Sequence, residues 1–317
     1  MARRTFIVAA LALLVAPIAP DAWAVDTRIG ILADTPGPHW QIFRQGLKQS
    51  GYVEGKTIAL EWRWAEGQAK RFPDLAADLV RRKVDIIVAE GTPAIRAAKG
   101  ATSTIPIVMA IAADPVGAGF VQSLTRPGGN ITGSSSRSPE LYLKQLQLLQ
   151  EVVPKLSRVA VLWHPGNRLV LKELEAAAAL LNLQLQLIEA REPGEVRAAF
   201  TALRAQRPEA LLVMATPTFD GLQAELARHA ADARLAAVYN KTVFAQSGGL
   251  FSYGARYSDF FRRAAEYVDK ILKGAKPAEL PVEQATSFEL VVNANAARAL
   301  GISIPLALRV RADQVIE

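Results

Sequence analysis

The chain is predicted to be an α/β protein of two Rossmann-like lobes with parallel sheets, hinged around a central ligand cleft. Three observations carry this expectation. Short apolar runs alternate with amphipathic stretches of helical period, the pattern of a parallel sheet covered on both faces. The order of these segments repeats at an offset of about 120 residues. The chain has 317 residues, half of them hydrophobic, enough for two domains of roughly 100–200 residues each.

The elements follow in order. Residues 28–32 (RIGIL) form a short apolar strand that ends at the turn Thr35-Pro36-Gly37-Pro38. Residues 40–50 carry Phe43 and Leu47 at helical spacing and stop at Gly51. Residues 57–64 (TIALEWRW) alternate as a strand, which places Trp62 and Trp64 on one sheet face as core. Residues 73–82 form an amphipathic helix opened by a proline. A buried strand at 85–89, a helix at 93–99 and a second buried strand at 106–111 follow. A helical pattern covers 141–152. The second half reads as strand 158–163, helix 170–181, strand 183–189, helix 195–205, strand 210–215, helix 219–232 and strand 235–239. Strand 250–253, helix 256–272, strand 288–292 and helix 295–300 complete the chain.

The repeat lies inside this order. IIVAEGTP (86–93) matches LLVMATP (211–217), each a buried strand that ends in Thr-Pro. IPIVMAIA (105–112) matches LAAVYN (235–240), and GGNITG (128–133) matches GGLFSYG (248–254). In open parallel sheets, ligands sit beyond the carboxyl ends of the strands. Two such lobes face these edges toward one another, so the cleft between them can close on a small molecule.

Strand ends therefore nominate the site. Trp40, Gly91, Thr92, Ser134, Asn167, Thr216, Asn240 and Tyr253 are the candidate ligand-binding residues. The wider edge takes in residues 36–40, Glu90, Asp114, Ser135, Ser136 and His164. These are mostly hydroxyl, amide and aromatic groups. With helix N-termini supplying N–H donors, they suit a small carboxylate such as an amino acid or an aromatic or branched acid. Thr92 and Thr216 stand at matching points of the repeat. Each hydroxyl is either a helix N-cap or a ligand contact. Asp114 reads first as a turn or helix cap, and His164 as a structural histidine.

Other chemistries fail on their own residues. With no Cys and three His far apart, thiol catalysis and zinc cages are excluded. Gly51 to Thr57 lacks the first phosphate-loop glycine, because position 50 is Ser50, and its Lys-Thr opens a strand. Gly117-Ala-Gly119 is followed by Gln122 where a dinucleotide fingerprint needs glycine. No G-x-S-x-G elbow exists. No catalysis, cofactor or metal is expected.

Arg3 and Arg4, the apolar run 6–16 and Ala22-Trp23-Ala24 have the layout of a secretory signal peptide, with cleavage after Ala24. The run falls short of the ~20 residues that span a bilayer. The formal net charge of +7 is scattered, with no basic tract, so no nucleic-acid partner is expected. Without a cysteine for lipid attachment, the product is expected to be free in a periplasm and to act as a monomer.

Several segments resemble one family. These are GLKQSGYVEGKTIALEWRWAEG (46–67), DLAADLVRRKVDIIVAEGTPA (74–94), STIPIV with DPVGAG (103–119) and LTRPGGNITG (124–133). LSRVAVLWHPGN (156–167), GGLFSYG (248–254) and AAEYVDKILKGAKPAELPVEQATSFELVVN (264–293) join them. The chain is similar to ABC-transporter substrate-binding proteins of the type I periplasmic binding fold, some of which bind aromatic amino acids. That resemblance implies a receptor delivering a solute to a membrane permease. It also sets the expected lobes at 25–132 plus 255–286 and 133–254 plus 287–317, with crossings near 131–135, 253–257 and 284–290. Asn240-Lys241-Thr242 departs from the family pattern in a loop that helps select ligand. A sensor read by a membrane kinase, or less favoured an exported α/β hydrolase, are the alternatives.

Overall fold

The computed structural model describes residues 27–136, 139–216, 219 and 221–317. The segment expected to be a leader and Pro217 of the repeat lie outside them. The first half runs β1 (Thr27–Ala33), α1 (His39–Gln49), β2 (Ile58–Trp64), α2 (Phe72–Arg81), β3 (Ile86–Glu90), α3 (Gly91–Ala101), β4 (Ile107–Ala112) and β5 (Ile131–Ser135). Then come α4 (Pro139–Val152), β6 (Arg158–Trp163), α5 (Arg168–Leu180), β7 (Gln184–Glu189), α6 (Val196–Ala205), β8 (Ala210–Val213), α7 (Gln223–Asp232) and β9 (Ala236–Tyr239). The chain closes with α8 (Thr242–Gln246), β10 (Phe251–Ala255), α9 (Tyr257–Leu272), β11 (Glu283–Gln284), β12 (Phe288–Asn293), α10 (Ala294–Leu300), α11 (Leu306–Arg311) and β13 (Gln314–Ile316).

Two sheets result, ordered β11-β5-β4-β3-β1-β2 and β13-β12-β10-β9-β8-β6-β7. Read from their outer edges, both begin with the same topology, so β3 and β8, β4 and β9, and β5 and β10 are equivalent strands. That is the repeat of the sequence, now seen as a pair of lobes. Pairing is parallel except between β10 and β12. This antiparallel pair departs from the all-parallel expectation, because β12 enters its sheet through a short crossing and not through a helix.

Each central strand is apolar on both faces, so each sheet is covered twice. In the first lobe, Ile29, Ile31, Ile86, Val88, Val108 and Ala110 meet Phe43 and Trp40 of α1 and Phe260 and Phe261 of α9. The opposite face sends Leu32, Ile87, Ala89, Ile107 and Met109 against α2 and α3. In the second lobe, α4 and α5 cover one face and α6 and α7 the other. Full burial of each such side chain stabilises by about 1.5–3 kcal/mol.

Three segments cross between the sheets. The first leaves β5 after Ser135 and enters α4. β5 pairs with β4 at Ile131 to Gly133 and at Ser135, and with β11 at Ser134 and Ser135, so the strand belongs to the first sheet to its end. The second passes through Arg256 from β10 to α9, which packs on the first lobe against α1, β4 and β5. The third joins β11 to β12. The Arg256 N–H donates to the Ser287 carbonyl at 3.0 Å, and the Ser287 hydroxyl donates to Asp259 at 2.5 Å, tying the second and third crossings together.

Candidate ligand cleft

The first-lobe edge is organised by β3. Its residues alternate between faces, so Ile86, Val88 and Glu90 point the same way, toward α1 and α9. Glu90 is thus a carboxylate ending a buried apolar row. Its carboxylate accepts a hydrogen bond from the Tyr257 hydroxyl at 2.6 Å and stands 3.4 Å from His39 Nε2. Lys241, from the second lobe, places its ammonium 4.3 Å from the centre of the Tyr257 ring. Burial works against ionisation of Glu90, but His39, Lys241 and the Tyr257 hydroxyl together hold its pKa below the ordinary glutamate value.

Beneath this group lies an aromatic floor. Phe261 stands 4.4 Å from His39, 4.9 Å from Trp40 and 5.4 Å from Tyr257 by ring centres. Trp40 lies at the base of this group. It is only 3% exposed and packs edge-on against Phe43, Trp62, Trp64 and Phe261, so it builds the core below the cleft and supports His39. Trp62 and Trp64 stack at 5.3 Å on their shared face, as their alternation predicts.

Helix α3 starts at Gly91, two residues before the predicted start. Gly91 has φ +83, which lets the chain turn from strand to helix with no loop. No side chain caps the first turn. Thr92 is therefore inside the helix and not its N-cap, and its hydroxyl makes no hydrogen bond among the described residues. In the equivalent place Thr216 is buried, also without a hydroxyl partner there.

Asn167 precedes α5 at the second-lobe edge and is 8% exposed. Its Nδ2 donates to the Ala215 carbonyl at 2.8 Å, which ties it to the residue before Thr216, while its Oδ1 is buried without a partner among the described residues. Asn240 follows β9 and packs its carbonyl against Gly254. Tyr253 is half-buried, stacked on Phe288 at 5.8 Å, and its carbonyl accepts from Gln145 at 2.7 Å. Ser134 is fully buried with its hydroxyl unpartnered, on the face of β5 that carries α9. The Ser136 hydroxyl donates to the Ala112 carbonyl at 3.3 Å.

Two edge residues prove structural. Asp114 accepts from the Gly117 N–H at 2.9 Å, closing a turn. His164 Nδ1 accepts from Gly166 N–H at 2.9 Å. The structure thus groups Gly91 and Thr92 with Glu90 and His39, and Asn167 with Thr216. Asn240 and Tyr253 join through Gly254. Lys241 and Tyr257 were missing from the site predicted by sequence. Lys241 carried a signal, as the cation of a departing loop, whereas Tyr257 carried none.

The ABC transporter substrate binding protein family matches residues 38–316. The chain belongs to that family. As a substrate-binding protein of ABC-transporter type it is an extracytoplasmic solute receptor and not an enzyme, which removes the hydrolase alternative. The solved "ABC domain" of Streptococcus pneumoniae in complex with L-Trp is 25% identical, with a TM-score of 0.85 over 92% of this chain and 99% of that one. A conserved domain protein of Vibrio cholerae is 30% identical, with a TM-score of 0.86 over 91% and 99%. A tyrosine-binding protein of Clostridioides difficile is 27% identical over 267 residues, 81% of this chain and 75% of that protein. The type I periplasmic binding fold expected from sequence is therefore the fold of this substrate-binding protein.

Proposed function

We propose that this substrate-binding protein captures a small carboxylate, an amino acid in the first instance, and delivers it to the membrane permease of its transporter. One pair of features, one from each lobe, carries the reading. The uncapped first turn of α3 offers N–H donors on one lobe, and the buried Asn167 Oδ1 offers an acceptor on the other. The helix end suits a carboxylate. The orphan acceptor, which costs about 1–3 kcal/mol if left buried and unmade, suits an ammonium. The aromatic residues around His39 and Tyr257 favour an aromatic or branched side chain. The tyrosine-binding relative and the relative complexed with L-Trp support the same class.

The working unit is a monomer of two lobes, residues 25–135 plus 257–284 and residues 139–255 plus 288–317. It is exported by the leader, cut after Ala24 and free in the periplasm. The mass of the mature protein recovered from the periplasm tests the cut. The ligand class is tested by thermal shift with amino acids, aromatic and branched acids and sugars. A true ligand at 100 times its Kd stabilises by about 2.7 kcal/mol. Sugars that shift the melting point while every amino and organic acid fails would overturn the class.

A further inference from the structure

Glu90, Tyr257 and Lys241 come from three separate parts of the chain and meet between the lobes. Glu90 ends β3 and Tyr257 opens α9, both packed on the first sheet, whereas Lys241 follows β9 of the second. The Lys241 ammonium lies 4.3 Å from the centre of the Tyr257 ring, and its charge helps hold Glu90 ionised. Tyr257 in turn donates its hydroxyl to Glu90 at 2.6 Å, and His39 flanks the other carboxylate oxygen at 3.4 Å.

The partition of these contacts is informative. Three of the four groups belong to the first lobe and stay together whatever the second lobe does. Only Lys241 must leave if the cleft opens. The departing group is a long, flexible cation that water solvates well, and the buried carboxylate it leaves behind keeps Tyr257 and His39. Opening therefore leaves Glu90 hydrogen-bonded to Tyr257, and closing gains a cation–π contact and an ion attraction in a partly dry site.

We propose that Lys241 is an interlobe latch, which biases the substrate-binding protein toward its closed form before any ligand arrives. The inference rests on the reading of this cleft as the ligand site. A latch differs from a ligand contact in its signature. A ligand's apparent affinity scales with the fraction of protein already in the binding-competent form. Loss of the latch should then weaken every ligand by one common factor, whereas loss of a ligand contact should weaken carboxylates selectively.

The absence of cysteine allows a direct test. Gln68 and Glu192 are exposed, one on each lobe, and Gln68→Cys with Glu192→Cys carries a pair of spin labels. Interlobe distances are measured by pulsed electron resonance on the full-length mature protein without ligand, in the parent and with Lys241→Met or Lys241→Arg. Lys241→Met should move the distribution to longer distances, and Lys241→Arg, which keeps the cation over the ring, should restore it. With the amino-acid panel, Lys241→Met should weaken all ligands together by roughly 2-fold to 30-fold. An unchanged ligand-free distribution in Lys241→Met overturns the latch, as does a loss confined to particular ligands. If the parent binds no amino acid or organic acid at all, the proposed ligand class fails, and the ligand-free distances still decide the latch.

Discussion

Gly254 is where the fold and the cleft constrain each other most directly. The parallel pairing of β9 with β10 ends at Tyr239 and Ser252, and just beyond it Gly254 passes against the Asn240 backbone. A Cβ on Gly254 would stand 1.8 Å from the Asn240 carbonyl oxygen and 2.8 Å from its carbon, where ordinary contact begins at 3.4 Å. The obstacle is backbone, so no rotamer change relieves it. Gly254→Ala must push the Asn240–Lys241 loop away from β10. Overpacking of this kind costs about 1–3 kcal/mol. At roughly 2–4 °C per kcal/mol for a unit this size, the ligand-free melting point should fall by about 2–12 °C. Because the displaced loop carries Lys241, affinity should fall too, by calorimetry against whichever panel ligand binds. Gly194→Ala is the control, since nothing lies within 4 Å of its added Cβ. A Gly254→Ala protein that melts and binds like the parent would refute the close approach, and with it the geometry assigned to the loop.

Three further outcomes follow from the cleft. Thr92→Ala and Thr216→Ala should each weaken ligand binding by about 0.5–1.5 kcal/mol in calorimetry, while the apo melting point holds, since neither hydroxyl bonds to a described residue; a fall in apo stability with intact affinity would refute the ligand role of both hydroxyls. Glu90 has its pKa lowered on folding, so its ionised form contributes stability above the ordinary carboxylate value of about 4.3, and that contribution is lost as pH falls through the lower folded value. The melting-point gap between the parent and Glu90→Gln should therefore narrow in acid, and a constant gap from about pH 6 to about pH 3 would contradict the assignment. Phe261→Ala removes a fully buried ring from beneath His39, Trp40 and Tyr257 and should cost about 3–5 kcal/mol by denaturant unfolding; a loss below ~1 kcal/mol would mean that the floor repacks without it.

The architecture was legible where periodicity is strong. The two-fold repeat, the buried strands and the long helices all follow from apolar spacing, because a strand covered on both faces must be apolar throughout. Short elements escaped for the same reason. β11 has two residues and β13 three, too few for any period to show, and they exist because a neighbouring strand already presents its edge. α3 starts before Pro93, the residue that favours a first helical position, because the left-handed Gly91 lets the helix begin sooner.

The site was legible one lobe at a time. Glu90 could be found from its parity in IIVAE, as a carboxylate in register with Ile86 and Val88. Trp40 stands at a strand-to-helix edge, and the helical period that buries Phe43 and Leu47 buries it with them. Contacts between lobes obey no local period. Residues 90, 241 and 257 meet only because three crossings set the hinge, so no spacing in the chain announces Tyr257. A lysine in a variable loop reads, by itself, as a solvated charge or a selector of ligand. Placed over the ring of Tyr257, with Glu90 behind it, the same side chain becomes a contact that exists only when the lobes are together. Its contribution is then to the closing equilibrium, which every ligand shares.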